Sequence, residues 1–431
     1  MDGLEVAVML VSFLLFLSIG VPVAWTLGLT ALITLMTTMD SLVAAGTVAQ
    51  RMATGLDSFT LLAIPFFILA GQLMNRGGLA RRLIDFAKSL VGPLPGGLAA
   101  VNVVAAMLFG AIAGSAAAAA SAIGSIMTKR MEDEGYPRPF SAAVNITSAT
   151  TGLIIPPSNV LIVYSLASGG VSIAALFVAG YVPGILTGML LIIAAAVYAK
   201  RKGYPNGEPW KLSQIVKDFL GALPSLLLLV VVIGGIIAGI FTATEASAVA
   251  VAYCLILAFM YRELSWKDLP DVFAESVNTT AIVLLLVATS LALSWVMSYE
   301  NLPQAITSGL LGISDNPIII LLLINLILLI VGIFMDMTPA VLIFTPIFLP
   351  VVMELGMDPV HFGIMMVLNL CIGLCTPPVG SVLFVGVGVA EIKLTQVLRP
   401  LTPLFLMMLI ALLLVTFIPQ LTLWLPGALL D

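Results

Sequence analysis

Gly152-Leu-Ile-Ile-Pro-Pro157 and Gly373-Leu-Cys-Thr-Pro-Pro378 repeat one pattern, a glycine followed by paired prolines, and each copy lies inside a long apolar run. A Pro-Pro pair removes two backbone donors and disfavours helical geometry at the residue before it. Each copy therefore predicts a break in a helix that hydropathy alone would draw as continuous. Two such breaks, placed deep in apolar sequence, are costly unless the unwound backbone lines a cavity or a site.

The surrounding composition sets the class. Of 431 residues, 61% are hydrophobic and only 9% charged, with a mean hydropathy of +1.18, against roughly 25% charged residues in soluble domains. A spanning helix needs about 20 apolar residues, and on that basis the chain holds roughly ten to twelve crossings in a lipid bilayer. The runs are rich in Leu, Ile and Val throughout and do not alternate with period two, which argues for helices and against an outer-membrane barrel. The fold class read from the sequence is an all-α polytopic membrane protein. The first apolar segment lacks a basic leader and a small-residue cleavage site, so it reads as a span.

The net charge of −5 arises in short loops, and no basic patch points to nucleic acid. Neither a GxxxxGK[ST] loop nor a Rossmann glycine pattern occurs, so energy must come from an ion gradient and not from a nucleotide. Cys254, Cys371 and Cys375 sit in apolar context, and with His361 as the single histidine they make no complete metal site; they read as buried free thiols. No constellation of acid, base and nucleophile suggests an enzyme.

The chain divides into two halves. A polar linker, 200–218, contains KRKGYPNGEPWKLSQIVK and separates residues 1–199 from 219–431. With an offset of 221 or 222, Gly152 falls on Gly373, Pro156-Pro157 on Pro377-Pro378, and Gly110 on Gly332. Duplicated membrane halves with helix breakers at matching places are the sequence pointer to a secondary transporter built from repeats. Each half is expected to carry scaffold helices plus a re-entrant hairpin and a broken helix, around 93–170 and 316–390. Basic clusters at 76–88, 129–138, 200–217 and 262–267 mark cytoplasmic loops by the positive-inside rule, with Lys393 and Arg399 adding a weaker signal.

The hairpins are read from different signals. In the first half, GAIAGS ends at Ser115 and runs into a stretch of small residues, which suits either a hairpin with its tip near Gly114-Ser115 or a close-packed helix. In the second, Gly332-Ile-Phe-Met-Asp-Met-Thr-Pro339 is followed by Pro346 and Pro350, and three prolines so close together argue against a plain spanning helix.

Broken helices offer carbonyl oxygens at one stub and positive amide ends at the other. The first can ligate a small hard cation, for which sodium is the natural choice, and the second attracts an anion. Carbonyls around 152–157 and 373–379, with the hydroxyls of Ser115 and Thr376, are the candidate ligands. Two acids interrupt apolar sequence, Asp336 in the hairpin and Glu245 in FTATEASAVAVAY, and both are candidates for substrate or ion coupling. Glu245 equally suits a helix cap at the interface. Asn145, Thr147, Ser148, Thr150 and Thr151 give a polar face before the first Pro-Pro, which suits contact with substrate or ordinary hydrogen bonding between helices.

GAIAGS…RMEDEGYPRPFSAAVNITSATTGLIIPPSNVLIVY, FTATEASAVAVAY and GIFMDMTPAVLIFTPIFLPV…GLCTPPVGSVLFV together resemble the large membrane subunit of tripartite ATP-independent periplasmic (TRAP) transporters, over nearly the whole chain. The resemblance implies an elevator-type secondary transporter in a bacterial inner membrane. It implies two partners, a small four-helix membrane subunit and a periplasmic substrate-binding protein, and sodium-coupled import of an organic anion such as a dicarboxylate, sialic acid or sugar acid. It also implies sodium sites at Ser115, Gly152, Ile155 and Pro157 in one repeat and at Gly332, Gly373, Thr376 and Val379 in the other. The sequence departs from the family pattern at Ala119, Leu153 and Ala243. The alternative is a self-sufficient ion-coupled elevator-type anion transporter.

Overall fold

The computed structural model describes residues 3–204, 211–312, 314 and 316–430, so residues 205–210 of the polar linker lie outside the described residues. The described chain is helical throughout. Its first half comprises α1 (Gly3–Ser18), α2 (Val23–Leu35), α3 (Ser41–Leu56), α4 (Ala63–Arg76), α5 (Leu79–Val91), α6 (Gly97–Ala113), α7 (Ala116–Asp133), α8 (Arg138–Thr151), α9 (Asn159–Ala167) and α10 (Ile173–Lys202). The second comprises α11 (Leu212–Ile237), α12 (Ala243–Met260), α13 (Leu269–Tyr299), α14 (Leu302–Leu311), α15 (Pro317–Phe334), α16 (Met337–Glu354), α17 (Pro359–Leu374), α18 (Ser381–Val389), α19 (Leu394–Phe417) and α20 (Gln420–Leu429).

Element for element, α11 follows α1, α12 follows α2, the single long α13 follows the interrupted pair α3–α4, and α14 follows α5. The hairpin α15–α16 corresponds to α6–α7, the broken helix α17–α18 to α8–α9, and α19 to α10; α20 has no counterpart. Contacts between the halves are reciprocal. Helix α13 packs on α2 and α3 while α12 packs on α4, and α9 packs on α16 while α18 packs on α7.

Among the described residues eight helices are long and apolar enough to cross a membrane, and α1, α2, α6 and α17 are shorter apolar helices. Counting α3–α4, α8–α9 and α17–α18 as interrupted crossings gives ten crossings and two hairpins. Large apolar side chains such as Val230, Ile256, Ile282 and Phe334 face outward from the bundle, as a lipid-facing surface requires.

The first hairpin turns at Gly114-Ser115. Gly114 adopts a left-handed conformation that ends α6, and the Ser115 hydroxyl caps α7 by accepting a hydrogen bond from the Ala118 amide at 3.3 Å. The second turns at Met335-Asp336, between α15 and α16. Prolines play a different part there from the one expected, because α16 runs unbroken through Pro346 and Pro350. Pro339 lies in the first turn, where a missing amide costs nothing. Pro346 and Pro350 are four apart, so the carbonyl that Pro350 leaves without its donor is that of Pro346, and the disturbance stays on one face. Inside a membrane protein such faces are covered by neighbouring helices.

The spacing shared by the halves has a packing cause. A Cβ at Gly152 would lie 2.5 Å from the Cα of Gly110, and one at Gly373 would lie 2.5 Å from the Cα of Gly332. Each hairpin thus crosses its broken helix backbone to backbone, at a glycine pair, just before the break. Polar clamps stand nearby in both repeats: the Ser148 hydroxyl donates to Asn102 Oδ1 at 3.5 Å, and the Asn369 amide donates to Asn325 Oδ1 at 2.7 Å.

Candidate transport site

The hairpin tips and the stubs of both broken helices converge on a cavity of about 290 Å³, closed on its other side by α4 and α13. Gly114 to Ala118 supply one tip and Asp336 to Thr338 the other. Asn159 and Ser381, at the starts of α9 and α18, stand between them, and Gln72, Asn75 and Thr279 face them from α4 and α13.

The two breaks flank this cavity. Both Pro-Pro bonds, Pro156-Pro157 and Pro377-Pro378, are cis. Among the described residues no backbone amide donates to the carbonyls of 152–157 or 374–379; the first segment is buried throughout, where so many unpaired acceptors are unusual. In the first break the Ser158 hydroxyl is buried and has no described partner. In the second, the Gly380 amide donates to the Ile333 carbonyl of the hairpin at 3.0 Å. A Cβ added at Gly380 would stand 2.8 Å from both the Leu374 and the Thr376 carbonyl oxygens. Both oxygens thus lie close beside the Gly380 backbone, where a side chain would press on them. The breaks meet through α8 and α17, where the Cys371 thiol donates to the Thr150 carbonyl and the Cys375 thiol to the Ile146 carbonyl, each at 3.3 Å. All three cysteines are free and buried.

The candidate residues separate into groups. Ser115 and Asp336 occupy equivalent cap positions and both line the cavity. Ser115 caps its helix, whereas Asp336 makes no cap bond and forms no ion pair with a described cation. Ile155 and Pro157 lie in the first break, Thr376 and Val379 in the second, and the Thr376 hydroxyl donates to the Ile372 carbonyl at 2.7 Å. Gly152, Gly332 and Gly373 sit at the backbone crossings beside the breaks. Asn145 and Ser148 are buried in helix contacts away from the cavity wall, the Asn145 amide donating to the Ala120 carbonyl at 2.8 Å and the Ser148 hydroxyl to the Asn145 carbonyl at 3.2 Å. Glu245 is exposed and closes a capping box with Thr242, its carboxylate accepting from the Thr242 amide at 2.8 Å. It takes no part in the cavity lining.

Sequence reasoning passed over Ser158 and Gly380, which directly follow the two break motifs, and Gln72, Asn75 and Asn159. The signal for Gln72 and Asn75 was present: two carboxamides three apart share a helix face, in an uncharged run where only a polar neighbour would keep them.

The family model of the tripartite ATP-independent periplasmic transporter, DctM component, matches residues 10–421. The chain belongs to this family. An uncharacterized protein, YgiK, of Salmonella typhimurium is 54% identical, covering 96% of this chain and 95% of its own. The C4-dicarboxylate TRAP transporter large permease protein DctM of Rhodobacter capsulatus is 40% identical over 99% of this chain and 98% of its own. In three dimensions the fold matches the YdaH transporter of Alcanivorax borkumensis with a TM-score of 0.65 at 14% identity, covering 88% of each chain. As a TRAP large permease the protein is a multi-pass membrane transporter subunit and not an enzyme. The cavity and the paired breaks of this DctM-family chain form its candidate transport site.

Proposed function

We propose that this permease imports an organic anion by sodium symport across a bacterial inner membrane, working with a small four-helix membrane subunit and receiving its substrate from a periplasmic binding protein. The observation that carries the reading is the pair of unwound segments whose carbonyls accept no backbone amide among the described residues, beside a cavity that no described Lys, Arg or His lines.

The residues present fit sodium. The carbonyl oxygens of Leu374 and Thr376 lie close together beside Gly380, and a hard cation of modest size prefers such neutral oxygen ligands. The Thr376 hydroxyl, with the backbone of Gly332, Gly373 and Val379, would complete that site. Carbonyls of Gly152, Ile155 and Pro157, with the hydroxyls of Ser115 and Ser158, would form the other. Sodium held there supplies positive charge beside the cavity, where helix N-termini at Ser115, Asn159 and Ser381 also favour an anion. The permease's residues then orient the substrate between the hairpin tips and the α4–α13 wall. Movement of α6–α9 with α15–α18 past α4 and α13, as in an elevator, would expose the cavity on alternate sides.

The substrate class rests on family membership: the Rhodobacter relative is named for C4-dicarboxylates. The deciding experiment is uptake into proteoliposomes holding the permease with and without its small subunit, the loaded binding protein and a sodium gradient. Uptake should need all three. Transport by the permease alone would favour a self-sufficient transporter, and sodium-independent uptake would overturn the coupling. Within the same assay Thr376→Val should raise the sodium concentration for half-maximal uptake several-fold, the loss of about 1 kcal/mol, while Ile155→Val, which keeps its carbonyl, leaves it nearly unchanged.

A further inference from the structure

Arg51 stands apart from the other cations of the molecule. It lies on α3, of which only Ala44 and Val48 are buried, while Leu42, Val43 and Leu56 are exposed; the helix therefore lies on the lipid-facing surface. Beside Arg51, α3 and α13 enclose a groove of about 320 Å³ that opens outward. The two helices approach closely at its inner end, where a Cβ on Gly55 would stand 2.7 Å from Leu291 Cδ1.

The depth of the groove follows from α13. That helix has 31 residues and begins just after Lys267 of the basic 262–267 turn, which the positive-inside rule puts at the cytoplasmic surface. At 1.5 Å per residue Trp295 stands roughly 39 Å along it, beyond a hydrocarbon core of about 30 Å and level with the headgroups of the outer leaflet. Tyr299 stacks on Trp295 with ring centroids 5.3 Å apart, and such aromatic pairs are typical of a membrane interface.

Arg51 is held at this level, 4.4 Å from the Trp295 ring, and forms no ion pair with a described acid. An aromatic face attracts a guanidinium but does not cancel its charge. Hydroxyls surround it. That of Ser294 makes no hydrogen bond to a described residue. Those of Thr54 and Ser298 donate only to carbonyls of their own helices, at 2.9 Å and 3.0 Å, and can rotate toward a ligand. An unpaired guanidinium suits phosphate, whose oxygens match its fork in pairs. A purely apolar occupant would strand the charge, and a small soluble anion would leave the apolar inner end at Leu291 unfilled.

We propose that the α3–α13 groove is a phospholipid site of the outer leaflet. Arg51 takes the phosphate oxygens, the Ser294 and Ser298 hydroxyls donate to the same group, and an acyl chain runs inward past Leu291. The site is separate from the transport cavity and holds whatever substrate that cavity takes.

Native mass spectrometry of the purified permease in a non-ionic detergent tests this, with dioleoyl phosphatidylglycerol, dioleoylglycerol and inorganic phosphate as probes. The tightest phosphatidylglycerol should be held about tenfold more strongly than dioleoylglycerol, which has the same chains and no phosphate, and inorganic phosphate should not displace it. Arg51→Gln should weaken that lipid about tenfold. Arg51→Lys, which keeps the charge and loses the fork, should weaken it about threefold, and serves if the glutamine variant misfolds. Arg81→Gln, an exposed cation on α5 at the cytoplasmic side, should leave it unchanged. Equal retention of dioleoylglycerol, displacement by inorganic phosphate, undiminished lipid in both Arg51 variants, or an equal loss in Arg81→Gln would each overturn the proposal. The same Arg51-dependent lipid should remain when the permease is purified with a small membrane subunit; its absence there would give the groove to a helix of that subunit and overturn the lipid site.

Discussion

Gly380 shows how much one missing atom can do. Its left-handed φ of +46° and the two carbonyl oxygens that crowd its absent Cβ make it the residue on which the second break is built. Gly380→Ala should leave the protein in the membrane at near-normal amounts but abolish the response of uptake to sodium, measured with saturating loaded binding protein. A variant that transports with ordinary sodium dependence would remove Leu374 and Thr376 from the site. The two acids separate just as clearly. Asp336 lines the cavity while Glu245 is held in its capping box, so Asp336→Asn should reduce uptake at least tenfold and Glu245→Gln less than twofold; equal effects would reject a role for Asp336 at the cavity. At this scale the sequence was read only partly. A proline pair or an acid in apolar surroundings announces itself, because its cost needs a reason. Gly380 does not, since its meaning depends on which carbonyl oxygens lie beside it after folding.

The helices are organised by glycine crossings. Gly110 against Gly152, and Gly332 against Gly373, bring each hairpin into backbone contact with its broken helix, which is why the interval from glycine to proline is nearly the same in the two halves. Gly152→Val and Gly373→Val would force these backbones apart. Each should lower the melting temperature of the purified permease, consistent with about 1–3 kcal/mol of overpacking strain, whereas Gly221→Val, in open space on α11, should change it little. Equal melting temperatures for all three variants would contradict the crossings. The breaks were legible in sequence because Pro-Pro interrupts apolar runs; the first hairpin turn was one of two readings of a small-residue stretch, and the second was read from prolines that α16 in fact carries inside it. The continuity of α16 was not, because a single proline says that one amide is missing and not whether neighbouring helices cover the gap.

For the molecule as a whole, charge and connectivity agree. Ten crossings with two hairpins put the α4–α5 turn, the base of α6–α7, the α10–α11 connection, the α12–α13 turn and the α18–α19 turn on one side. Of the 17 Lys and Arg residues, all but Arg51 fall on that side, which the positive-inside rule makes cytoplasmic. Arg51 lies instead on α3, 4.4 Å from the ring of Trp295. The same path puts the base of α15–α16 on the opposite face, so the two hairpins enter from opposite sides. Since the native cysteines are buried and free, single cysteines can report this. Lys202→Cys and Lys267→Cys should resist an impermeant thiol reagent in intact cells, and Glu354→Cys should react; the reverse pattern would reject the orientation. The number of crossings was readable as a range from hydropathy, but the pairing of the hairpins across the cavity depends on which helices pack together.

That pairing carries a last consequence. Because α9 rests on α16 and α18 on α7, each hairpin is clasped by the broken helix of the other repeat as well as by its own. Displacing either hairpin alone would therefore disturb contacts in both halves. Neither repeat can rearrange its hairpin as an independent part.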